Sequence, residues 1–344
     1  MKAAILSVGA VTPIGMTAGT TAAAWAADVP NHRMHPFFVD DRGQEVLMAY
    51  LDAVTPLAEG ERMAMLAAGA VDEAVRALPG GIAADLLLAL PSPRPGIDAA
   101  VVQRIVAAVR AAAEPKLTIR EVRRGHHDHA GGVMALGAAL ARAAGPEARA
   151  SLVVAADSLI GPDALDWLTG AGRLFSTANP FGPIPGEAAA AVLVGPPSLV
   201  QRVGLAPFAA LVGYGETRET ADKPPGPWLG RALSEAIGLA TDAMAAAGLK
   251  AGALFPDLTP EPWRADTLGM GLVRVADRFE LADGMSVLAN RTGDIGAAHG
   301  VVSAIVAGFA RRSGALAARH ACVVGMGAAT GARAAVLIDL GEEG

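Results

Sequence analysis

Three histidines and an aspartate lie together at His126, His127, Asp128 and His129, directly before a long run of small and apolar residues. An imidazole can accept and donate a proton near neutral pH. The same side chains can also bind a metal ion. Short histidine clusters in loops are more often solvated or hydrogen-bonded than metal-binding. The cluster therefore predicts a candidate site without selecting its chemistry.

The chain has one cysteine, Cys322, among its 344 residues, so no disulfide can form within it. Cys322 ends an apolar segment just before Gly325, which indicates packing in the core rather than a reactive thiol. The first apolar segment is interrupted by Gly9, Thr12 and Pro13, which is typical of a strand and turn rather than a signal sequence. We therefore expect a cytoplasmic protein.

The overall composition excludes two classes of function. Hydrophobic residues make up 52% of the chain, aromatic residues only 4%, and the net charge is -6. Lysine occurs at only four positions, so no basic surface for nucleic acid is expected. The longest apolar stretches, such as Val301–Ala310, reach about half of a membrane span, so the hydrophobic residues predict a large core and no transmembrane helix.

Apolar strands and helical segments alternate along the chain, which predicts a layered α/β architecture with buried strands. Residues Glu59–Leu78 have helical periodicity, and Gly131–Ala144 is almost uncharged, as expected for a helix buried on most sides. We expect an irregular loop at Asn31–Asp41 and strands at Val203–Gly213 and Met285–Ala289.

The length suits two packed halves, since single domains rarely exceed about 200 residues. Both halves share a coarse order of alternating strands and helices that ends in two adjacent strands. We place them at residues 1–200 and 201–344.

Four parts of the sequence, in order, resemble landmarks of the β-ketoacyl synthase family. They are Gly9–Gly15, His129–Leu136, Leu174–Glu187, and Gly293–Gly300 with the glycine-rich turn Gly325–Ala328. The first is the most specific, and together they cover most of the chain. The resemblance implies the thiolase-like fold of that family, a five-layered αβαβα sandwich of two similar halves. Such proteins are homodimers or paired heterodimers.

The catalytic positions of the family carry different residue types in this chain. Family members use a cysteine, which receives the acyl group, and two histidines, which promote decarboxylation and stabilise the developing anion. The resemblance aligns His129 with the cysteine, and Asp257 and Asp294 with the two histidines. The usual supporting lysine aligns with Ala289. Since a histidine cannot carry a stable thioester, and an ionised aspartate cannot donate hydrogen bonds, ordinary Claisen condensation is not supported.

The resemblance also implies contacts for a substrate and a partner. Thr259, Met326 and Phe181 become candidate substrate contacts, and an acyl carrier protein becomes a candidate partner. No cofactor is implied. Trp263 and Arg264 lie where the family has a small loop, and we expect them to fill the mouth of the pocket.

Three functions remain open from the sequence. The first is a non-catalytic subunit in fatty-acid or polyketide-type acyl metabolism, similar to the chain-length-setting partners of the family, bound to a ketosynthase or to a second copy. The second is a hydrolase or acyltransferase in which Asp257 or Asp294 orients His129 as a general base. The third is a metal site formed by these three side chains. The simultaneous change of all three residue types favours the first.

Overall fold

The computed structural model describes residues 2–52, 57–114, 116–219 and 230–341. The strands are β1 (Ala3–Val11), β2 (Arg33–Val39), β3 (Glu45–Met48), β4 (Ile82–Leu90), β5 (Leu117–His127), β6 (Ala150–Ser158), β7 (Glu187–Gly195), β8 (Ala209–Arg218), β9 (Ala253–Phe255), β10 (His320–Met326) and β11 (Ala332–Asp339). The helices are α1 (Ala18–Ala26), α2 (Glu59–Arg76), α3 (Ala99–Ala113), α4 (Gly131–Ala144), α5 (Pro162–Gly170), α6 (Pro197–Val203), α7 (Arg231–Ala246), α8 (Pro262–Arg274), α9 (Ala289–Thr292) and α10 (His299–Arg312).

Nine strands form one continuous sheet in the order β5-β4-β6-β7-β1-β8-β11-β10-β9, and β2 pairs with β3 separately. In the nine-stranded sheet, β4 is parallel to β5 and β6, and β9 is parallel to β10. A short antiparallel pairing of Ala3–Ile5 with residues 209–211 joins the first five strands in this order to the last four. The sheet therefore has two parts, one built before residue 200 and one after it.

Helices α4 and α10 lie between the two parts of the sheet. Helix α4 contacts β4 and β6 of the first part and β8 and β11 of the second. Helices α2 and α3 cover the outer face of the first part, while α7 and α8 cover the outer face of the second. The order is helix, sheet, helix, sheet, helix. The predicted five-layered αβαβα sandwich is confirmed.

The two central helices approach each other closely at their N-terminal ends. A Cβ atom on Gly132 would lie 2.8 Å from the carbonyl oxygen of Ala297, and one on Gly300 would lie 2.7 Å from the backbone nitrogen of Val133. Real Cβ atoms do not make such contacts, so glycine is required at both positions for this packing. The polar residues just before the two helices are thereby brought together in the interior.

The structure differs from the sequence-based expectations in three segments. Within the expected loop Asn31–Asp41, strand β2 pairs with β3, and four of its seven residues are exposed. The expected strand Val203–Gly213 is the end of α6, a turn and the start of β8. In the expected strand Met285–Ala289, Met285 makes an isolated bridge with Leu254, and Ala289 begins α9. The last two errors have one cause, since short apolar runs do not distinguish helix, strand and buried loop.

The boundary proposed between residues 200 and 201 falls within α6 and stays a prediction. Within the described ranges, none of the helices has both the length and the apolar character needed to cross a membrane.

Candidate functional site

The chain turns sharply at Asp128, between β5 and α4. Asp128 has φ +67°, in the left-handed region that aspartate tolerates better than most residues. Its carbonyl accepts a hydrogen bond of 2.8 Å from the N–H of Gly131. Its carboxylate accepts bonds from the backbone N–H groups of His129 at 2.9 Å and Ala329 at 2.7 Å. The turn therefore fixes the position of His129 ahead of α4.

Both ring nitrogens of His129 are held by carboxylates. Nδ1 lies 2.9 Å from Oδ1 of Asp128, and Nε2 lies 2.8 Å from Oδ1 of Asp294. Asp294 is itself anchored, because Oδ1 also accepts the backbone N–H of Gly296 at 3.0 Å. All three side chains are buried. The imidazole thus lies between two carboxylates with little access to water.

These contacts set the charge on His129. Burial alone would lower the pKa of His129, but the carboxylates of Asp294 and Asp257 raise it well above its usual value. Burial would likewise raise the pKa values of Asp128 and Asp294, but the His129 ring holds both below their usual range. His129 is therefore an imidazolium at neutral pH that donates both N–H groups. A general base needs a free lone pair, which this ring does not offer.

Asp257 is paired with Arg264, on helix α8. Nη1 of this fully buried guanidinium lies 2.5 Å from Oδ2 of Asp257 and 3.1 Å from the carbonyl oxygen of Met326. The backbone N–H of Met326 donates to the same Asp257 oxygen at 3.0 Å. Nε of Arg264 lies 3.2 Å from Oε2 of Glu261. This ion pair ties α8 to the end of β10.

A third set of ion pairs connects the start of α2 to the end of β6. Arg94 lies 2.6 Å from Oε1 of Glu59 through Nη1 and 3.2 Å from Oδ1 of Asp157 through Nη2. Asp157 also accepts the backbone N–H of Ala297 at 2.9 Å, just before α10. Burial raises the pKa of Asp157, and it raises the pKa of Glu59 to about 7 against the opposing charge of Arg94.

These groups form a set that we call the central ion-pair cluster, completed by Arg173, which lies 2.9 Å from Glu261. Its members are Glu59, Arg94, Asp128, His129, Asp157, Arg173, Asp257, Glu261, Arg264 and Asp294. The cluster contains four cationic side chains and six carboxylates. When every carboxylate is ionised, it carries a net negative charge.

The candidate residues from the sequence are brought together only in part. His129 and Asp294 are hydrogen-bonded, whereas Asp257 bonds to Arg264. Thr259 is buried and donates to Glu261 at 3.3 Å, and Met326 is fully buried in the core of the second part of the sheet. Phe181 is 61% exposed. It does not line either of the two cavities, described below, that adjoin Asp294. The substrate roles of these three residues stay predictions.

Sequence reasoning missed the carboxylate of Asp128 as a ring partner and the arginines as counterions. Asp128 was noted only as a neighbour of His129. Arg264 was expected to fill the pocket mouth, although its spacing of three from Glu261, the residue just before α8, is a recognisable ion-pair signal. The pairing of Arg94 with Glu59 and Asp157 had no local signal, because these residues come from three distant segments.

Two cavities adjoin Asp294. The first has a volume of about 270 Å³, and its lining includes Arg94, Asp128, His129, Trp167 and Arg173. The second has a volume of about 220 Å³ and is lined by His32, Ile184, Thr259, Pro260, Ala289, Asn290 and Asp294. Within the described ranges, no three histidine, cysteine, aspartate or glutamate side chains are grouped to hold a metal ion. The arrangement gives the metal hypothesis no support.

Comparison with known proteins gave matches by structure only. No family model matches the sequence, and no curated protein matches it. The structure described as the ishigamide ketosynthase/chain length factor matches with a TM-score of 0.77 and 17% identity, over 100% of this chain and 99% of that chain. The chain has the ketosynthase fold.

Other structures with this ketosynthase fold match over equally long stretches. One is a chain from a complex of a type II polyketide synthase acyl-carrier protein with its ketosynthase bound to the hexaketide, with a TM-score of 0.77, 12% identity and 98% coverage of each chain. Another is a β-ketoacyl synthase from Burkholderia phymatum, with a TM-score of 0.74, 17% identity and coverage of 98% and 99%. The resemblance found in the sequence is thus supported at the level of the fold.

Proposed function

We propose that this chain is a non-condensing subunit with the ketosynthase fold, similar in role to a chain-length factor, that acts beside a condensing ketosynthase in fatty-acid or polyketide-type acyl metabolism. The observation that carries the proposal is the position of His129, whose two ring nitrogens lie against the carboxylates of Asp128 and Asp294 where the family resemblance expects the nucleophilic cysteine. An imidazolium that donates both N–H groups is neither a nucleophile nor a base.

The single thiol of the chain does not compensate for this loss. Cys322 is fully buried within β10, and burial raises its pKa to about 12. The thiolate is the nucleophilic form, and its fraction at neutral pH is negligible with such a pKa. An acyl group from a carrier thioester therefore has no thiolate to attack it on this chain.

Strand β5 supports association with a second subunit. It is eleven residues long and forms one edge of the nine-stranded sheet described above. A long edge strand presents backbone groups that can pair with another chain. Asp128 and His129 follow this strand directly, so a subunit bound there would lie next to the central ion-pair cluster.

The comparisons support the kind of partner. One match joins a ketosynthase with a chain length factor in its description, and another comes from a complex of a ketosynthase with an acyl-carrier protein. By this likeness, we propose a condensing ketosynthase as the direct partner and an acyl carrier protein as the carrier of its substrate.

Co-expression with the ketosynthase encoded nearest to this chain, followed by native mass spectrometry, tests the proposal. We expect a one-to-one heterodimer, and after addition of an acyl thioester we expect the acyl adduct on the ketosynthase alone. Charge reversal of the exposed Arg120 and Arg124 on β5 should weaken the heterodimer. The matched control is Arg110→Glu, at an exposed arginine of α3. Homo-oligomers alone, or an acyl adduct on this chain, would contradict the proposal.

A second candidate is a thiolase-fold hydrolase or acyltransferase that uses His129 with Asp257 and Asp294. One observation favours it: the cavity of about 270 Å³ reaches His129. This chemistry requires His129 to lose a proton first, so activity should rise steeply at alkaline pH. Turnover of acyl esters or thioesters that disappears in His129→Ala would support it. A broad substrate panel without turnover between neutral and alkaline pH would exclude it.

A further inference from the structure

A cavity of about 450 Å³ has no lining residue in common with the central ion-pair cluster. Its walls are formed by the start of β1, helix α6, the start of β8, the end of α10 and residues 339–341. Pockets that hold small molecules measure roughly 300–1,000 Å³, so this cavity suits a small organic ligand. The charged groups in its lining indicate which chemistry such a ligand must have.

The guanidinium of Arg312 is fixed at the wall of this cavity. Its Nη2 donates to the carbonyl oxygens of Pro207 at 3.1 Å and Phe208 at 2.8 Å. Its central carbon lies 4.2 Å from the centre of the Phe208 ring, which packs against Phe309. Arg312, Pro207 and Phe208 all line the cavity, and Arg312 is exposed. These contacts set the orientation of a cationic group that a ligand can reach.

The positive charge of Arg312 has no counterion, and two of its nitrogen atoms remain available. Among the described residues, no group accepts a hydrogen bond from Nε or Nη1, and no carboxylate pairs with this side chain. Burial lowers the pKa of Arg312, and no carboxylate opposes that effect. The two carbonyl groups on Nη2 are neutral. An anion that accepts from the remaining N–H groups would therefore gain charge-assisted hydrogen bonds.

Lys2 brings a second positive charge to the same cavity. Its side chain is 63% exposed, and Nζ lies 3.5 Å from Oδ2 of Asp339. Burial would raise the pKa of Asp339, but hydrogen bonds from Arg319 and the backbone of Gly341 lower it, so this carboxylate is ionised. Three cationic side chains thus surround one carboxylate, which leaves a net positive charge. This charge favours an anionic ligand.

The other ionisable groups near Asp339 were considered in the same way. His320 lies opposite Asp339 in the sheet, and burial lowers its pKa, so the ring is neutral at pH 7.5. Glu342 and Glu343 follow Gly341 in the sequence but lie outside the described residues. Their effect on the charge of the cavity is measured by the replacement given below.

We propose that this cavity binds a small aliphatic carboxylate, which accepts hydrogen bonds from Arg312 beside Lys2. Its hydrocarbon part would lie against Pro197, Val200 and Pro207, which are lining residues that are not buried. A carboxylate suits this lining better than a phosphate, because a second negative charge is costly to desolvate against apolar walls. The proposal goes beyond the acyl-subunit function, because it assigns a separate ligand site and requires no partner chain.

Isothermal titration calorimetry with three small molecules tests the charge and the apolar contact separately. Hexanoate is the proposed type of ligand, hexanamide its neutral analogue of equal length, and acetate the same anion without the longer hydrocarbon. At pH 7.5 we expect saturable binding of hexanoate, and binding of the other two that is about tenfold or more weaker. Equal binding of hexanamide would overturn the anion, equal binding of acetate the apolar contact, and no saturable binding of hexanoate the site itself.

Variants locate the binding. Arg312→Gln removes the charge, and we expect it to weaken hexanoate binding by about tenfold or more, the loss typical of a charge-assisted hydrogen bond. The matched control is Arg110→Gln, at an exposed arginine of α3, which should bind as the unmodified chain does. Arg173→Gln tests the cavity of about 270 Å³ beside His129. Unchanged binding in Arg312→Gln, or a loss confined to Arg173→Gln, would overturn the proposal.

The two glutamates after Gly341 provide a test of the sign of the charge. Replacement of Glu342 and Glu343 by glutamine removes negative charge next to the cavity in sequence, so hexanoate should bind at least as tightly as it does to the unmodified chain. Weaker binding in this double variant would contradict binding of the ligand as an anion.

A measurement on the unmodified chain covers the case in which a variant does not fold. Nitrogen-15 NMR of the arginine side chains should show a shift of Nε in Arg312 on addition of hexanoate, and none in Arg110. A titration that leaves Arg312 unchanged contradicts the proposal. Because heterodimer formation and acyl labelling do not involve this cavity, failure here is distinguishable from failure of the proposed subunit function.

Discussion

Two buried histidines lie near the N-termini of the two central helices, and their pKa values are shifted in opposite directions. His129 precedes α4 and has a carboxylate on each ring nitrogen, which raises its pKa against the effect of burial. His299 begins α10, and its Nε2 lies 3.4 Å from the hydroxyl of Ser303; burial lowers its pKa. Since both rings are buried, the difference comes from their neighbours: carboxylates outweigh the effect of burial at His129, whereas His299 bonds to a neutral hydroxyl and burial dominates.

This comparison also bears on the proposed absence of a nucleophile at His129. The N-terminus of a helix favours an anion, which is why a thiolate is stabilised there. In this chain Asp128 and Asp294 surround the same position, so the local field favours a cation instead. His129 and Asp294 are therefore two parts of one ion pair, and replacing one alone would leave an unfavourable charge.

The largest effect is expected from Asp294→Asn, which leaves the His129 imidazolium short of one buried counterion. Breaking a buried ion pair costs about 3–5 kcal/mol. We expect a loss of this size in the free energy of unfolding from urea denaturation at pH 7. The control is Asp72→Asn, in an exposed pair with Arg76, which should have almost no effect. Equal stabilities of the two variants would show that the carboxylate of Asp294 does not stabilise His129.

The alkaline side of the stability profile tests His129 directly. A histidine with a raised pKa contributes stability that is fully present below its unfolded value and is lost as the pH rises through the folded pKa. Over that interval the slope should be close to its limit of about 1.4 kcal/mol per pH unit. His129→Gln should remove this decline. A profile that is identical in the variant would contradict the imidazolium assignment.

His299 should have a weaker effect, on the acidic side. A histidine with a lowered pKa is protonated in the unfolded chain before it is in the folded one, so stability falls as the pH drops below about 6.5. We expect His299→Gln to reduce this acidic decline and to leave the alkaline side unchanged. Denaturation curves between pH 5 and pH 7 measure this difference. The slope of the unfolding free energy against pH should correspond to roughly one bound proton per molecule or less. A changed stability of His299→Gln at alkaline pH would remove the contrast with His129.

No effect at all is expected from restoring the thiol alone. In His129→Cys, the carboxylates of Asp128 and Asp294 oppose thiolate formation, so the cysteine should remain protonated at neutral pH. Intact-mass analysis after incubation with an acyl thioester should show no adduct, as in the unmodified chain. An adduct on His129→Cys that is absent from the unmodified chain would show that the carboxylates do not control the site.

Much of the fold could be predicted from the sequence. The bounds expected for the central helix, Gly131–Ala144, are those observed, because an almost uncharged run of 14 residues is long for a strand and is typical of a helix buried on most sides. The edge strand β2 was missed, since its residues are half exposed and its pairing with β3 depends on the neighbouring strand. Periodicity indicates burial within a segment but carries no information about partners in another segment.

The sequence analysis named candidate site residues, but it could not name the groups with which they pair. The family resemblance aligns His129, Asp257 and Asp294 with the catalytic residues of β-ketoacyl synthases, and this alignment stays a prediction. Only the tertiary structure decided that His129 bonds to Asp128 and Asp294, while Asp257 bonds to Arg264. Buried charges are paired by the packing of distant segments, and the pKa of each group follows from that pairing. The sequence by itself therefore determined which groups are present, and the packing of α4, α8 and α10 decided the charges they carry.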